Sequence, residues 1–306
     1  MERDRFRAVH TVAFPERARV EYWTDDRFIS PDASMTIDAI NIDAIADEVL
    51  ATLGTGRQVG PFTTRPAGLT LDDSYRALAL LDRKRAARGE TRRGRKIGFT
   101  NRTIWAQYGV YAPIWGYVYD STVHELSSTA SLRLDEFAEP RIEPEIVFGL
   151  SRAPSPDMDE GALMACIDWI AHGFEIVQSI FPGWRFSAPD TIAANGLHGA
   201  LLIGPRHPVG SHLAQWQRAL PDFAIDLLRD GNVIDRGHST NVLDGTVSAL
   251  RHFVGLLARD PINPPLTAGE IVTTGTLTRA MPVVAGETWS TALDGIALDG
   301  IKLRFV

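Results

Sequence analysis

The chain has one cysteine in 306 residues, Cys166, which excludes an intrachain disulfide. A reducing, cytoplasmic setting is therefore the expectation. Lysine is scarce, with three against 28 arginines, and the net charge is −7 at pH 7. That balance argues against nucleic acid as a partner. No apolar run approaches the roughly 18–20 residues that span a bilayer. The opening Met1-Glu2-Arg3-Asp4-Arg5 is charged and no apolar signal core follows it, so no signal peptide is expected. There is no glycine-rich phosphate loop and no dinucleotide fingerprint. His124-Glu125 lacks the second histidine of a zinc-protease helix. Gly237-His238-Ser239-Thr240-Asn241 has asparagine where a nucleophile elbow needs glycine.

What is present suits a folded globular protein. Hydrophobic residues make up 44% and charged residues 23%, which favours a sizeable core over disorder. Negative net charge would repel an anionic substrate unless the site carried its own positive charge, which a metal ion would supply.

Residues 1–35 show no clear period and read as an irregular arm. Helical apolar spacing runs over 37–53 and ends at Gly54; a loop over 55–69 follows, then a helix from Asp72 to Arg88. Lys96–Thr100 reads as a short strand. The aromatic stretch from Trp105 to Tyr119 reads as strands and turns that supply core and pocket wall. Residues 140–150 form a strand. Ser155-Pro156-Asp157 starts a helix expected to reach His172, and a strand from Phe174 to Gln178 follows it. From 195 onward the pattern is mainly β, with one helix around 244–258. This predicts an α+β protein divided into an N-terminal arm with helices (1–90) and a β-rich catalytic domain (91–306). The eight basic residues between Arg83 and Lys96 read as a solvated helix end.

The chemistry concentrates in Arg141-Ile142-Glu143-Pro144-Glu145-Ile146-Val147-Phe148. In a strand, Glu143 and Glu145 share one face, with Cα atoms about 7 Å apart, and Ile142, Pro144, Ile146 and Phe148 take the other. Two such carboxylates, a third and waters suit a hard divalent cation, Mg²⁺ above all. Glu175, the lone acid in Gly173-Phe174-Glu175-Ile176-Val177, is the candidate third ligand, because a buried carboxylate is costly unless paired or metal-bound. On spacing alone the pair also reads as a solvated face with Arg141 as surface partner, and Glu175 as a member of a buried ion pair.

Pro140–Ile146, followed some thirty residues later by Phe174-Glu175-Ile176-Val177, resembles the metal-binding signature of the fumarylacetoacetate hydrolase superfamily. The branch is that of 2-oxopent-4-enoate hydratase and 4-oxalocrotonate decarboxylase. Gly94–Thr100, Gly109–Asp120, Asp190–Asn195 and Gly269–Thr276 resemble further family segments in the family's order. The resemblance covers roughly 70–306 and implies an α+β fold of mixed β-roll or sandwich type with a helical N-terminal segment. It implies Glu143, Glu145 and Glu175 as ligands of Mg²⁺ (or Mn²⁺). It makes Lys96 the charged group near the substrate, and Thr276 with the Gly275 backbone the carboxylate binders. Arg141 and Asn195 complete the substrate-binding set. Relatives usually carry an aspartate between the Pro113 and Gly116 positions, and another just before Asn195. Here Ile114, Trp115 and Ala194 stand there, leaving Asp120 as a substitute acid.

The implied activity is hydration of a small 2-hydroxy-2,4-dienoate from aromatic catabolism, with Lys96 and Asp120 moving the proton. The alternatives are carbon–carbon hydrolysis of an acylpyruvate such as maleylpyruvate or fumarylpyruvate, decarboxylation of a 2-oxo acid, or a catalytically silent partner subunit. A dimer or larger homo-oligomer is implied. His172 reads as a cap or core residue.

Overall fold

Asn41 starts the first helix, α1 (Ile42–Thr52), by accepting a hydrogen bond from Ala44 N at 3.0 Å. Thr70 does the same for α2 (Leu71–Ala87) through Asp73 N, and Gly89, at φ 90°, ends it. The structure, a computed structural model, describes residues 40–129 and 131–306. The expected arm over 1–35, and the first residues of the helix expected from 37, lie outside them. The described residues belong to one compact unit. Among them no helix is long and apolar enough to cross a membrane.

The remaining helices are α3 (Trp105–Tyr108), α4 (Glu160–Met164), α5 (Ala188–Ala193), α6 (Leu213–Ala219) and α7 (Thr246–Leu257). The first strands are β1 (Arg92–Gly98), β2 (Ile114–Tyr119), β3 (Val123–Glu125), β4 (Ser131–Leu132) and β5 (Arg141–Leu150). Then come β6 (Ile167–Val177), β7 (His198–Pro208), β8 (Ala224–Arg229), β9 (Asn232–His238) and β10 (Ile271–Thr273). The last are β11 (Met281–Pro282), β12 (Thr288–Asp294) and β13 (Lys302–Phe305). An eight-stranded sheet runs β2-β1-β10-β5-β6-β7-β3, with β11 added alongside β5. A five-stranded sheet runs β4-β13-β12-β8-β9. This mixed, two-sheet α+β arrangement agrees with the expected class.

The two sheets pack through Ile142, Phe174, Ile176 and Leu202 on one side and Leu227, Trp289, Leu303 and Phe305 on the other. Helix α7 and strands β1 and β2 share a second core with Ile146 and Phe148. Helices α1 and α2 form a third with Ile180, Phe181 and Ala193, and Lys84 of α2 bridges Asp43 and Asp47 of α1.

Three local expectations are corrected. The helix expected to reach His172 is the single turn of α4, and Ile167–Val177 is one long strand. Strand β6 lies inside the sheet with both faces covered, so it lacks the alternation that marks a half-exposed strand, and its apolar run imitates a buried helix. The basic run is no solvated helix end: Gly89 divides it between α2 and β1, and Arg85, Arg95 and Lys96 are buried. The stretch after Trp105 opens with a helical turn before β2, and the short α6 was not foreseen.

Candidate metal centre

Strand β5 places Glu143 and Glu145 on one face, as their alternation requires, and β6 pairs antiparallel beside it. Glu143 lies directly opposite Glu175, and Glu145 opposite Gly173. Each of the three acids offers an oxygen, and these oxygens lie within 4.8 Å of one another. Glu145 and Glu175 are fully buried, and Glu143 is partly exposed on the wall of a cavity of about 250 Å³.

The surroundings satisfy half of this cluster. Gly275 N donates to Glu145 Oε2 at 2.7 Å, while Glu145 Oε1 has no partner. Gly275 sits at φ 94°, and a Cβ there would fall 1.8 Å from Thr100 Oγ1, so only glycine fits. His198 Nδ1 lies 2.9 Å from Glu175 Oε1. Glu175 Oε2 has no hydrogen bond, although Lys96 Nζ stands 3.3 Å away. One carboxylate oxygen without a partner, Glu145 Oε1, and a second, Glu175 Oε2, held only by the Lys96 ion pair fit a hard divalent cation such as Mg²⁺ or Mn²⁺ in a buried cluster of oxygen ligands.

The charges agree. Burial pushes Glu143 up to about 7 against the pull of Lys96, with Glu175 adding repulsion. Glu145 is driven well above the usual carboxylate range by burial and then by its two acidic neighbours. Burial also pulls Glu175 upward, but Lys96 and His198 outweigh it and hold the carboxyl low. Burial pulls Lys96 down, and the three carboxylates more than reverse it. One ammonium cannot neutralise three carboxylates, and a divalent cation supplies the missing charge.

No family model matches the chain. It is 30% identical over 202 residues to a 2-hydroxypent-2,4-dienoate hydratase of Pseudomonas putida, covering 65% of this chain and 85% of that protein. It is 27% identical over 262 residues to a 2-hydroxyhexa-2,4-dienoate hydratase of Comamonas testosteroni, covering 85% and 97%. Among solved structures, 4-oxalocrotonate decarboxylase from Pseudomonas putida G7, complexed with magnesium and adipate, superposes with TM-score 0.78 at 24% identity. That match covers 87% of this chain and 97% of the decarboxylase. The chain belongs to the fumarylacetoacetate hydrolase superfamily, in its hydratase and decarboxylase branch.

Within this superfamily member the remaining candidates divide. Lys96 lines the cavity and donates to Gly196 O at 3.0 Å. Thr276 lines it too, with its hydroxyl turned to Thr278 O at 3.0 Å. Gly275 also borders the cavity, but its N–H is taken by Glu145. Arg141 reaches in from β5; its guanidinium donates to Tyr108 Oη at 2.8 Å and lies 4.0 Å from the centre of the Trp184 ring.

Asn195 is near the site but outside the cavity wall. Its side chain accepts from Tyr117 N at 2.8 Å and donates to Tyr117 O at 2.9 Å, so both ends are occupied. It clamps the loop that presents Gly196 O to Lys96. Gly116 allows that approach, since a Cβ there would fall 2.3 Å from Asn195 O.

Asp120 is not brought to the site. On β1, Lys96 pairs with Gly116, while Asp120 follows Tyr119, the partner of Arg92. Four residues of strand put it about 13 Å farther along. It is exposed and accepts from Thr91 N at 2.9 Å, and that bond holds its carboxyl below the usual value. Ile114 and Trp115 belong to the apolar core, and Ala194 is buried against α1 and α2. Among the described residues, the acid bordering the cavity is Glu143. His124 lines a different cavity, of about 500 Å³, that among the described residues shares no wall residue with the first. His172 lies beneath β5, with Nδ1 donating to Glu145 O at 2.9 Å and Nε2 facing Thr291 Oγ1 at 2.9 Å. His198 escaped notice in the sequence, where it stands merely as one histidine at the start of an apolar strand.

Proposed function

We propose that this chain is a divalent-metal-dependent lyase that hydrates a small 2-hydroxy-2,4-dienoate. The observation that carries the reading is the meeting of three carboxylates from β5 and β6 beside Lys96, with two of their buried oxygens lacking a hydrogen bond. Glu143, Glu145 and Glu175 would hold Mg²⁺ or Mn²⁺. When bound there, such an ion would supply Lewis-acid stabilisation of negative charge developing on the substrate. Lys96, fixed on Gly196 O, holds at Nζ the proton that is exchanged with the substrate carbon. Arg141 and Thr276 orient the substrate from the cavity wall. Phe99, Tyr108 and Trp184 restrict water in the same cavity. All of these groups lie within residues 91–306, and α1 and α2 support them from outside. We take the working form to be a cytoplasmic homo-oligomer, which light scattering on the purified chain tests.

A second reading has its own support. Hydration and carbon–carbon hydrolysis both need an activated water, whereas decarboxylation needs enolate stabilisation and reprotonation. Among the described residues the cavity wall carries no carboxylate beyond Glu143 to activate water, which favours decarboxylation as the runner-up.

Incubation with Mn²⁺ and a panel of 2-hydroxydienoates, acylpyruvates and unsaturated 2-oxo-dicarboxylates decides, with products weighed by mass spectrometry. Gain of one water marks the hydratase, loss of carbon dioxide the decarboxylase, and two fragments a hydrolase. No turnover of any member, together with no Mn²⁺ binding, would leave a silent partner subunit.

A further inference from the structure

Glu175 meets a chain of hydrogen bonds that leads away from the cavity. Its Oε1 lies 2.9 Å from His198 Nδ1, and His198 Nε2 lies 2.9 Å from Thr122 Oγ1. Thr122 Oγ1 accepts in turn from Tyr119 N at 3.2 Å. An ionised carboxylate only accepts, so Nδ1 carries the hydrogen. In the neutral ring Nε2 then accepts from the threonine hydroxyl. In that arrangement Tyr119 N–H donates to Thr122, His198 N–H donates to Glu175, and the Thr122 hydroxyl donates to His198 Nε2 at 2.9 Å, with Tyr119 O at 3.2 Å as its other acceptor. The anchor is firm, because Thr122 N also bonds Tyr119 O at 2.9 Å and Thr122 O accepts from Leu201 N at 2.8 Å.

We propose that His198 is the positioning residue of the metal centre: it holds Glu175 Oε1 so that Oε2 is the oxygen offered to the cation. This rests on the metal reading above. A carboxylate can rotate, and rotation would exchange the two oxygens. The bond from His198 removes that freedom, and the fully buried Glu175 has no water to replace it. Partners of this kind fix ligand orientation, and their loss typically lowers metal affinity by about 10–100-fold. His198 and Thr122 border the second cavity, of about 500 Å³. Truncation of the imidazole would therefore open Glu175 to solvent from the side opposite its ligand oxygen.

Calorimetric titration of the purified full chain with Mn²⁺ alone tests this, with thermal melts to confirm folding. His198→Ala should bind Mn²⁺ about 10–100-fold more weakly than wild type. His198→Asn, whose amide N–H can take the place of Nδ1–H, should regain most of the loss. Should His198→Ala not fold, Thr122→Val interrupts the same chain and should weaken binding several-fold. A wild-type chain that binds no Mn²⁺ would overturn the metal reading itself. A wild type that binds, with folded His198→Ala (or Thr122→Val in its place) binding equally well, would overturn the role of His198 alone.

Discussion

Glu143 and Glu175 stand directly across from one another on adjacent antiparallel strands. Opposed like charges destabilise a sheet, and Glu145 adds a third acid on the same face. On the proposed function, the arrangement serves cation binding at the expense of the metal-free fold. Glu145→Gln should expose that conflict. The glutamine oxygen can still accept from Gly275 N, while a buried group that ionises only at a cost beside Glu143 and Glu175 is removed. Metal-free Glu145→Gln should be more stable than metal-free wild type by about 1 kcal/mol, or roughly 2 °C in Tm. Its Mn²⁺ affinity should fall by at least about a hundredfold. Melting curves with and without Mn²⁺ measure both; a destabilised metal-free variant would contradict the conflict.

The same conflict has a pH signature. Burial raises Glu143 to about 7, above its unfolded value, so the folded state binds more protons than the unfolded state between about 4.5 and 7. Its contribution to stability is fully present below the unfolded pKa and is lost as pH rises through the folded one. Metal-free wild type should therefore lose stability relative to Glu143→Gln between about pH 5 and pH 8. Saturating Mg²⁺ should restore the wild type in that window and leave the variant little changed. Paired urea titrations across the range measure the difference, and a flat difference would remove the raised pKa from the account.

The candidate ligand strand was legible because alternation puts two acids separated by one residue on one strand face, and the resemblance to a metal-binding signature decided between a cluster and a solvated face. Glu175 was legible as a lone acid in an apolar run, although its strand was read too short. Strand β6 is covered on both faces, and a continuous apolar run has no period to distinguish it from a buried helix. Asp120 was assigned as the acid left in the stretch that resembles the family's active-site loop, but in an extended strand four residues separate it from Gly116 by more than a cavity's width. His198 was invisible because its meaning depends on a register between β6 and β7 and on the turn that ends β2. Asn195 was found for its position, while its work, binding both polar groups of the Tyr117 backbone, appears only when β2 is beside it.

Lys96 and Asp120 now make contrasting predictions. Lys96 Nζ is held at the cavity wall by Gly196 O, whereas Asp120 is exposed at the far end of β2. Lys96→Met should lower kcat by about 10²–10⁴-fold, the range for loss of a positioned proton donor, while Mn²⁺ binding persists. Asp120→Asn should leave kcat within about twofold, since surface changes of this kind alter stability by roughly 0.5 kcal/mol or less. Steady-state kinetics on whichever substrate the panel identifies, beside Mn²⁺ titration, compares them. Equal losses in both variants would return Asp120 to the mechanism.

His172 links the two sheets behind the metal ligands. Its Nδ1–H donates to Glu145 O on β5, and its Nε2 accepts from Thr291 on β12. Burial lowers its pKa to about 4, only partly countered by the Glu145 carbonyl. The folded state therefore keeps the ring neutral while the unfolded chain protonates it near 6.5. This stability is complete above the unfolded pKa and is lost as pH falls from about 6.5 towards 4, an effect of about 3 kcal/mol in all. His172→Gln should be less stable at neutral pH by about 1–3 kcal/mol, from bonds made poorly or left open. It should also lack the part of the acid slope that the imidazole supplies. Chemical denaturation of the Mn²⁺-free proteins from about pH 4 to pH 7 separates the two effects. If the variant keeps the full wild-type slope, the acid sensitivity belongs to another group, and the neutral bridge between the sheets is not its source.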